Sequence, residues 1–90
     1  MKIRLFATLR ERVGQRELNI SRDDANSIQD LLTLLVTRFP EAKELLFRNG
    51  ELSSFYHILV NGKNVRQLDG KITILKDDDI IAILPPIGGG

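Results

Sequence analysis

Polar and apolar side chains alternate from residue 2 to residue 8. Lys2, Arg4, Phe6 and Thr8 fall on one side and Ile3, Leu5 and Ala7 on the other. That period of two predicts a half-buried strand. Gly14 sits in a polar connection over residues 10–16, and Leu18 and Ile20 then alternate again, so the two runs read as an N-terminal hairpin. The period then changes. Ile28, Leu31, Leu32, Leu35, Val36 and Phe39 fall at i, i+3, i+4, i+7, i+8 and i+11, one apolar helical stripe that belongs to a core. Ser27 with Asp30 has the spacing of a capping box, and Asn26 with Gln29 would serve as well. Pro40 stops the helix, because the residue before a proline is pushed out of helical geometry. One or two further helical turns are expected over residues 41–47, ending at Asn49-Gly50.

The second half is richer in strands. Residues 55–60 predict a strand, and Asn61-Gly62 is the dipeptide of a type I′ turn, whose two central residues both need positive φ. Val65 is expected on the return strand, Ile72, Ile74 and Leu75 in a short connection, and Lys76-Asp77-Asp78-Asp79 in a solvated polar turn. The final strand, residues 80–84, carries Ile80, Ile81, Ala82 and Ile83, apolar on both sides as a central strand should be. Pro85-Pro86 ends it, since proline donates nothing to a ladder. One helix across one face of a small mixed sheet is the α+β solution. With the last strand parallel to the first, the expected architecture is the β-grasp. The expected division is one domain over residues 1–84 and an extended tail over residues 85–90.

Length and composition narrow the function. Ninety residues make one domain with a thin core. A formal charge of +1 gives no whole-molecule field toward nucleic acid or a membrane. The absence of cysteine excludes a disulfide scaffold, a thiolate zinc site, an iron–sulfur cluster and a cysteine nucleophile. The single histidine, His57, reads as a solvated strand residue, and Asp77–Asp79 lacks the ligand spacing of a calcium loop. A charge within the first apolar stretch argues against a signal peptide, and no apolar run approaches the roughly 20 residues of a membrane span. A cytoplasmic protein is expected.

Candidate chemistry gathers at the end of the chain. Pro85 and Pro86 pre-set an extended direction, and Ile87, Gly88, Gly89 and Gly90 follow, three of them without a side chain. From Pro86 onward, at roughly 3.3–3.6 Å per residue, such a peptide reaches about 17 Å. It could thread a narrow channel and present its carboxylate to a reagent held by another protein, or it could simply fray. If Ile58, Val60, Ile81 and Ile83 face the core, then Phe6, Leu59 and Leu84 form an apolar patch on the open sheet face at the root of the tail. Contiguous apolar surface of that kind marks an interface. Arg4, Arg10, Arg12, Arg16 and Arg22 crowd the N-terminal hairpin; they read first as a solvated hairpin, and second as a docking patch for acidic protein or RNA.

Three stretches resemble the small subunit of molybdopterin synthase, a family of ubiquitin-like sulfur carriers. They are residues 3–14, from Ile3-Arg4-Leu5-Phe6-Ala7 to Val13-Gly14; residues 59–65, Leu59-Val60-Asn61-Gly62-Lys63-Asn64-Val65; and residues 75–89, ending Leu84-Pro85-Pro86-Ile87-Gly88-Gly89. The likeness runs over nearly the whole chain, with two departures. Asp78 replaces a usual turn glycine, and Gly90 adds a third glycine, leaving Gly90 or Gly89 as the working terminus. The resemblance implies a ubiquitin-like β-grasp fold and a chain that is not catalytic alone. An E1-like adenylyltransferase using ATP and Mg²⁺ would activate the terminal glycine carboxylate, with no cofactor or metal bound by this chain. A thiocarboxylate would follow, donating sulfur to the molybdopterin synthase large subunit for molybdenum cofactor synthesis. Phe6, Leu59, Leu84, Pro85, Pro86, Ile87 and Gly88 would hold the partners, and Gly89 and Gly90 would carry the chemistry. A ubiquitin-like modifier joined through its terminal glycine to lysines, and a carrier for tRNA thiolation, remain as alternatives.

Overall fold

The opening alternation does form a strand, β1 (Lys2–Leu5), with Ile3 and Leu5 buried and Lys2 and Arg4 exposed. In the computed structural model, which describes residues 1–53 and 56–85, the strand ends short of Thr8. Phe6 is still extended, but Ala7 turns to φ 52° and opens a helix, α1 (Ala7–Val13). Its Leu9 and Val13, one turn apart, are buried, while Ala7, expected on the inner side of a strand, is exposed. The polar connection expected over residues 10–16 is therefore mostly helix. Leu9 and Val13 lie on the same face of that helix and reach the core together. Gly14 caps α1 at φ 83°, its N–H on the Arg10 carbonyl at 2.8 Å. A glycine takes this left-handed cap at least cost. β2 (Glu17–Asn19) then returns antiparallel to β1, with Ile3 opposite Leu18, so the pairing is that of the expected hairpin.

The apolar stripe forms α2 (Ile28–Arg38). Ser27 caps it, its Oγ accepting the Asp30 N–H at 3.2 Å. Ile28, Leu31, Leu32 and Leu35 are buried, with Val36 and Phe39 half-buried beside them. Pro40 begins a 3₁₀ turn (Pro40–Ala42), followed by the short α3 (Lys43–Leu46). Asn49-Gly50 does not merely end this helical stretch. Both residues have positive φ, 53° and 80°, and they turn β3 (Phe47–Arg48) into β4 (Glu51–Leu52), a separate two-stranded sheet.

β5 (His57–Val60) starts later than expected; Tyr56 precedes it, and Phe55 lies outside the described residues. Asn61 and Gly62, at φ 51° and 86°, make the expected turn into β6 (Lys63–Asn64). Val65 is not on that strand. It is buried at the start of a 3₁₀ turn (Val65–Gln67), where its side chain fills the core once the pairing has ended. After a second 3₁₀ turn (Gly70–Ile72), Thr73 and Leu75 are buried while Ile72 and Ile74 face out. β7 (Ile80–Leu84) closes the fold.

The main sheet has the order β2-β1-β7-β5-β6. β7 is central, parallel to β1 and antiparallel to β5, as its apolar composition on both sides requires. One core joins the inner side chains of the sheet, Ile3, Leu5, Ile58, Val60, Ile81 and Ile83, to the buried stripe of α2. The other sheet face is open.

Candidate functional site

The open face is read directly from the strand register. Arg4 lies beside Ala82, and Ala82 beside Leu59, so one row crosses β1, β7 and β5. Two residues further along, Leu84 pairs with His57, and Phe6 continues the β1 register toward Leu84. Two residues back, Ile80 pairs with Lys2. Ile80, Ala82 and Leu84 thus form a column down the middle of the sheet, with Phe6 and Leu59 on its flanks. Phe6 is 36% exposed and Ile80 39%, whereas Leu59, Ala82 and Leu84 are half-buried. Phe6 and Leu59 are two strands apart and meet through the Leu84–Ala82 column rather than directly. Ile80 belongs to the same surface. Pro85, half-buried, is the last residue described; Pro86, Ile87, Gly88, Gly89 and Gly90 lie outside the described residues.

The far end of β7 is pinned by a polar clamp. Asp79 is buried, and its carboxylate accepts the Asn61 Nδ2 amide at 2.9 Å and the Lys76 N–H at 2.8 Å. The Asn61 Oδ1 accepts the Ile80 N–H at 3.0 Å, and the Asn61 N–H donates to the Ile80 carbonyl at 2.8 Å. A buried carboxylate is tolerable only when hydrogen-bonded like this. The expected solvated turn holds for Lys76, Asp77 and Asp78, all exposed, with Asp77 also accepting the Arg22 N–H at 2.9 Å, while Asp79 is buried and structural. The clamp ties β7 to the β5–β6 turn and fixes the register that sets Leu84 beside His57. At that end Asn64 Nδ2 lies 3.4 Å from His57 Nδ1, so His57 is a half-buried member of the face with a cross-strand partner.

The five arginines separate. Arg12 reaches across to the Glu41 carbonyl at 3.1 Å and joins α1 to the turn after α2. Its charge partly offsets the burial that pushes the Tyr56 phenol above its ordinary value. Arg22 belongs to the Asp77 turn. Arg4, Arg10 and Arg16 line one shallow concavity with Leu5, Phe6 and Glu17, at the end of the sheet where β7 runs out. The signal missed in the sequence was α1, because a strand through Thr8 would have separated Arg10 from Phe6. A second feature also went unseen: Ile72 and Ile74 are 64% and 58% exposed, more than any residue of the open-face patch. Alternation runs through residues 72–75, but with polar Thr73 inside, its Oγ1 donating to the Gly70 carbonyl at 2.7 Å and accepting the Asp69 N–H at 3.1 Å. Among the described residues, no group of three His, Cys, Asp or Glu could hold a metal ion. Nor is any helix among them long and apolar enough to cross a membrane.

A mixed five-stranded sheet with its last strand central and parallel to the first, one main helix across it and an open apolar face, defines a ubiquitin-like β-grasp protein. Residues 3–90 match the ThiS family model, and the chain belongs to that family of ubiquitin-like sulfur carriers and modifiers. It is 36% identical over 90 residues to small archaeal modifier protein 3 of Haloferax volcanii, covering 100% of this chain and 98% of that protein. It is 33% identical to a proposed sulfur carrier protein of Archaeoglobus fulgidus, with the same coverage. The solution structure of small archaeal modifier protein 1 from Methanosarcina acetivorans superposes with a TM-score of 0.88 at 41% identity, covering 99% of this chain and 94% of that one.

Proposed function

We propose that this chain is a sulfur carrier whose terminal glycine, Gly90, is activated by an adenylating partner and converted to a thiocarboxylate. The observation that carries the reading is the placement of β7. The central, clamped strand delivers Leu84 and Pro85 to the open-face rim, and the sequence beyond is Pro86-Ile87-Gly88-Gly89-Gly90. A carboxylate is a poor electrophile because its oxygen leaves badly. In the partner, which would hold ATP and Mg²⁺, a Gly90 carboxylate oxygen attacks the α-phosphorus and pyrophosphate departs. A persulfide sulfur then attacks the acyl carbon, AMP leaves, and a thiol cleaves the resulting acyl disulfide to free the thiocarboxylate. This chain contributes delivery, and it has no internal thiol to capture the activated acyl group.

The sulfur would go to molybdopterin synthesis, the destination implied by the three stretches that resemble the synthase small subunit. A second reading, conjugation of Gly90 to lysines of other proteins, is favoured by the modifier proteins among the relatives. Both begin with the same adenylate. Intact mass spectrometry of the protein purified from its own cells separates them. Sulfur replacing oxygen at Gly90 is the carrier result; glycine-tailed lysine adducts on other proteins are the modifier result. An unmodified chain without adducts, in cells making molybdenum cofactor, would overturn both.

A further inference from the structure

We infer that the concavity formed by Arg4, Arg10 and Arg16 around Phe6 is a docking pocket for a carboxylate-bearing protein surface, carried by the partner that grips the root of the tail. The inference rests on the proposed reading that such a partner binds the open face. The concavity is about 390 Å³ and is lined by three arginines against one acidic residue, Glu17, a local excess of +2 in a chain whose total is +1. Glu17 is engaged with Arg4, Oε1 to Nε at 3.5 Å. Arg10 and Arg16 have no carboxylate within ion-pair distance among the described residues.

The groups are placed by backbone. The Leu5 N–H donates to the Arg16 carbonyl at 2.8 Å, which holds Arg16 against the end of β1. The Arg10 N–H donates to the Phe6 carbonyl at 3.3 Å, which sets Arg10 one helical turn beyond the phenyl ring. Phe6 in turn lies where the β1 register meets Leu84, so the pocket is continuous with the apolar column and with the end of β7.

The composition points to a protein occupant. Interface cores are enriched in arginine and aromatic residues and depleted in lysine. This pocket has three arginines and a phenylalanine and no lysine. Guanidinium forks match carboxylates bidentately. A small free anion fits less well, because the pocket is open and its charges come from three separate segments. Acidic protein surface placed here would fix the approach of the partner along the tail and accelerate encounter.

Calorimetric titration of the full chain against the adenylating enzyme from the same genome tests this. Arg10→Glu with Arg16→Glu should weaken binding at least about tenfold at low salt, since reversed charge meets like charge. The wild-type affinity should fall between about 50 and 300 mM salt, and that of the double variant should not. Lys43→Glu, on α3, should behave as wild type, and thermal unfolding of all variants should match the parent. Unchanged affinity and salt response in the double variant would overturn the inference, as would an enzyme that does not bind the wild type. Two further arms use other anions: tighter binding of mixed-sequence RNA, or of inorganic phosphate at millimolar concentration, abolished by the same reversals, would also overturn it. ATP–pyrophosphate exchange in the same mixtures judges the functional reading separately. Binding that depends on the arginines without exchange upholds the pocket and refutes activation of Gly90, the step that the carrier and the modifier share; exchange with arginine-independent binding overturns the pocket and leaves that activation standing.

Discussion

Ile83 and Leu84 are adjacent in sequence and face opposite environments. Ile83 is fully buried between the sheet and α2, whereas Leu84 is half-buried on the open face opposite His57. A charge forced into the first position has no counter-ion and costs several kcal/mol, comparable to the whole stability of a domain of this size. Ile83→Asp or Ile58→Asp should therefore unfold the chain, as circular dichroism would record. Phe6→Asp or Leu84→Asp should leave the melting temperature near that of the parent and weaken partner binding, because the carboxylate stays hydrated until the interface closes over it. The reverse pattern would mean that the two faces are exchanged. Residue by residue, alternation gave the correct inner and outer sets on β5 and β7. Residues 72–75, expected only as a short connection, alternate too, but there hydrogen bonds to Gly70 and Asp69 make Thr73 acceptable inside and leave Ile72 and Ile74 out. Hydrophobicity alone does not see such bonds.

Elements were legible wherever one period ran long enough to be unmistakable. The stripe from Ile28 to Phe39 covers three turns and has a capping serine and a stopping proline, so α2 was legible at both ends. α1 was not, because the alternation of β1 runs on by chance through Phe6, Ala7 and Thr8. Its signature is brief: Leu9 and Val13 four apart, then Gly14. That glycine also offers the test. At φ 83° an alanine at position 14 would be strained, even though no neighbouring atom obstructs a Cβ. Gly14→Ala should cost about 1 kcal/mol. Urea titration would show a lower midpoint with an unchanged slope. A neutral result would mean that α1 does not end on a left-handed cap. The β3–β4 hairpin escaped notice for a similar reason. Two-residue strands carry no period, and Asn49-Gly50 was the only mark they left.

At the scale of the whole molecule, stability and the proposed chemistry fall in different parts of the chain. Every residue of the described core lies between Met1 and Ile83, and the clamp that fixes β7 is at its other end, at Asp79 and Asn61. The central place of β7, parallel to β1, was legible because a strand apolar on both sides belongs inside a sheet. The pocket at Arg10 and Arg16 was not, since it needs α1 to bring Arg10 to Phe6. Truncating the tail tests this separation of roles. Deleting Gly89 and Gly90 removes no residue of the described core, so the melting temperature should match the parent within error. ATP–pyrophosphate exchange with the adenylating partner should nevertheless vanish, because the carboxylate would stop about 7 Å short of its place, at roughly 3.3–3.6 Å per residue. A large fall in melting temperature would mean that the tail packs against the fold and is not free to be threaded. Persisting exchange would mean that the partner accepts Gly88 and that tail length does not select the terminus.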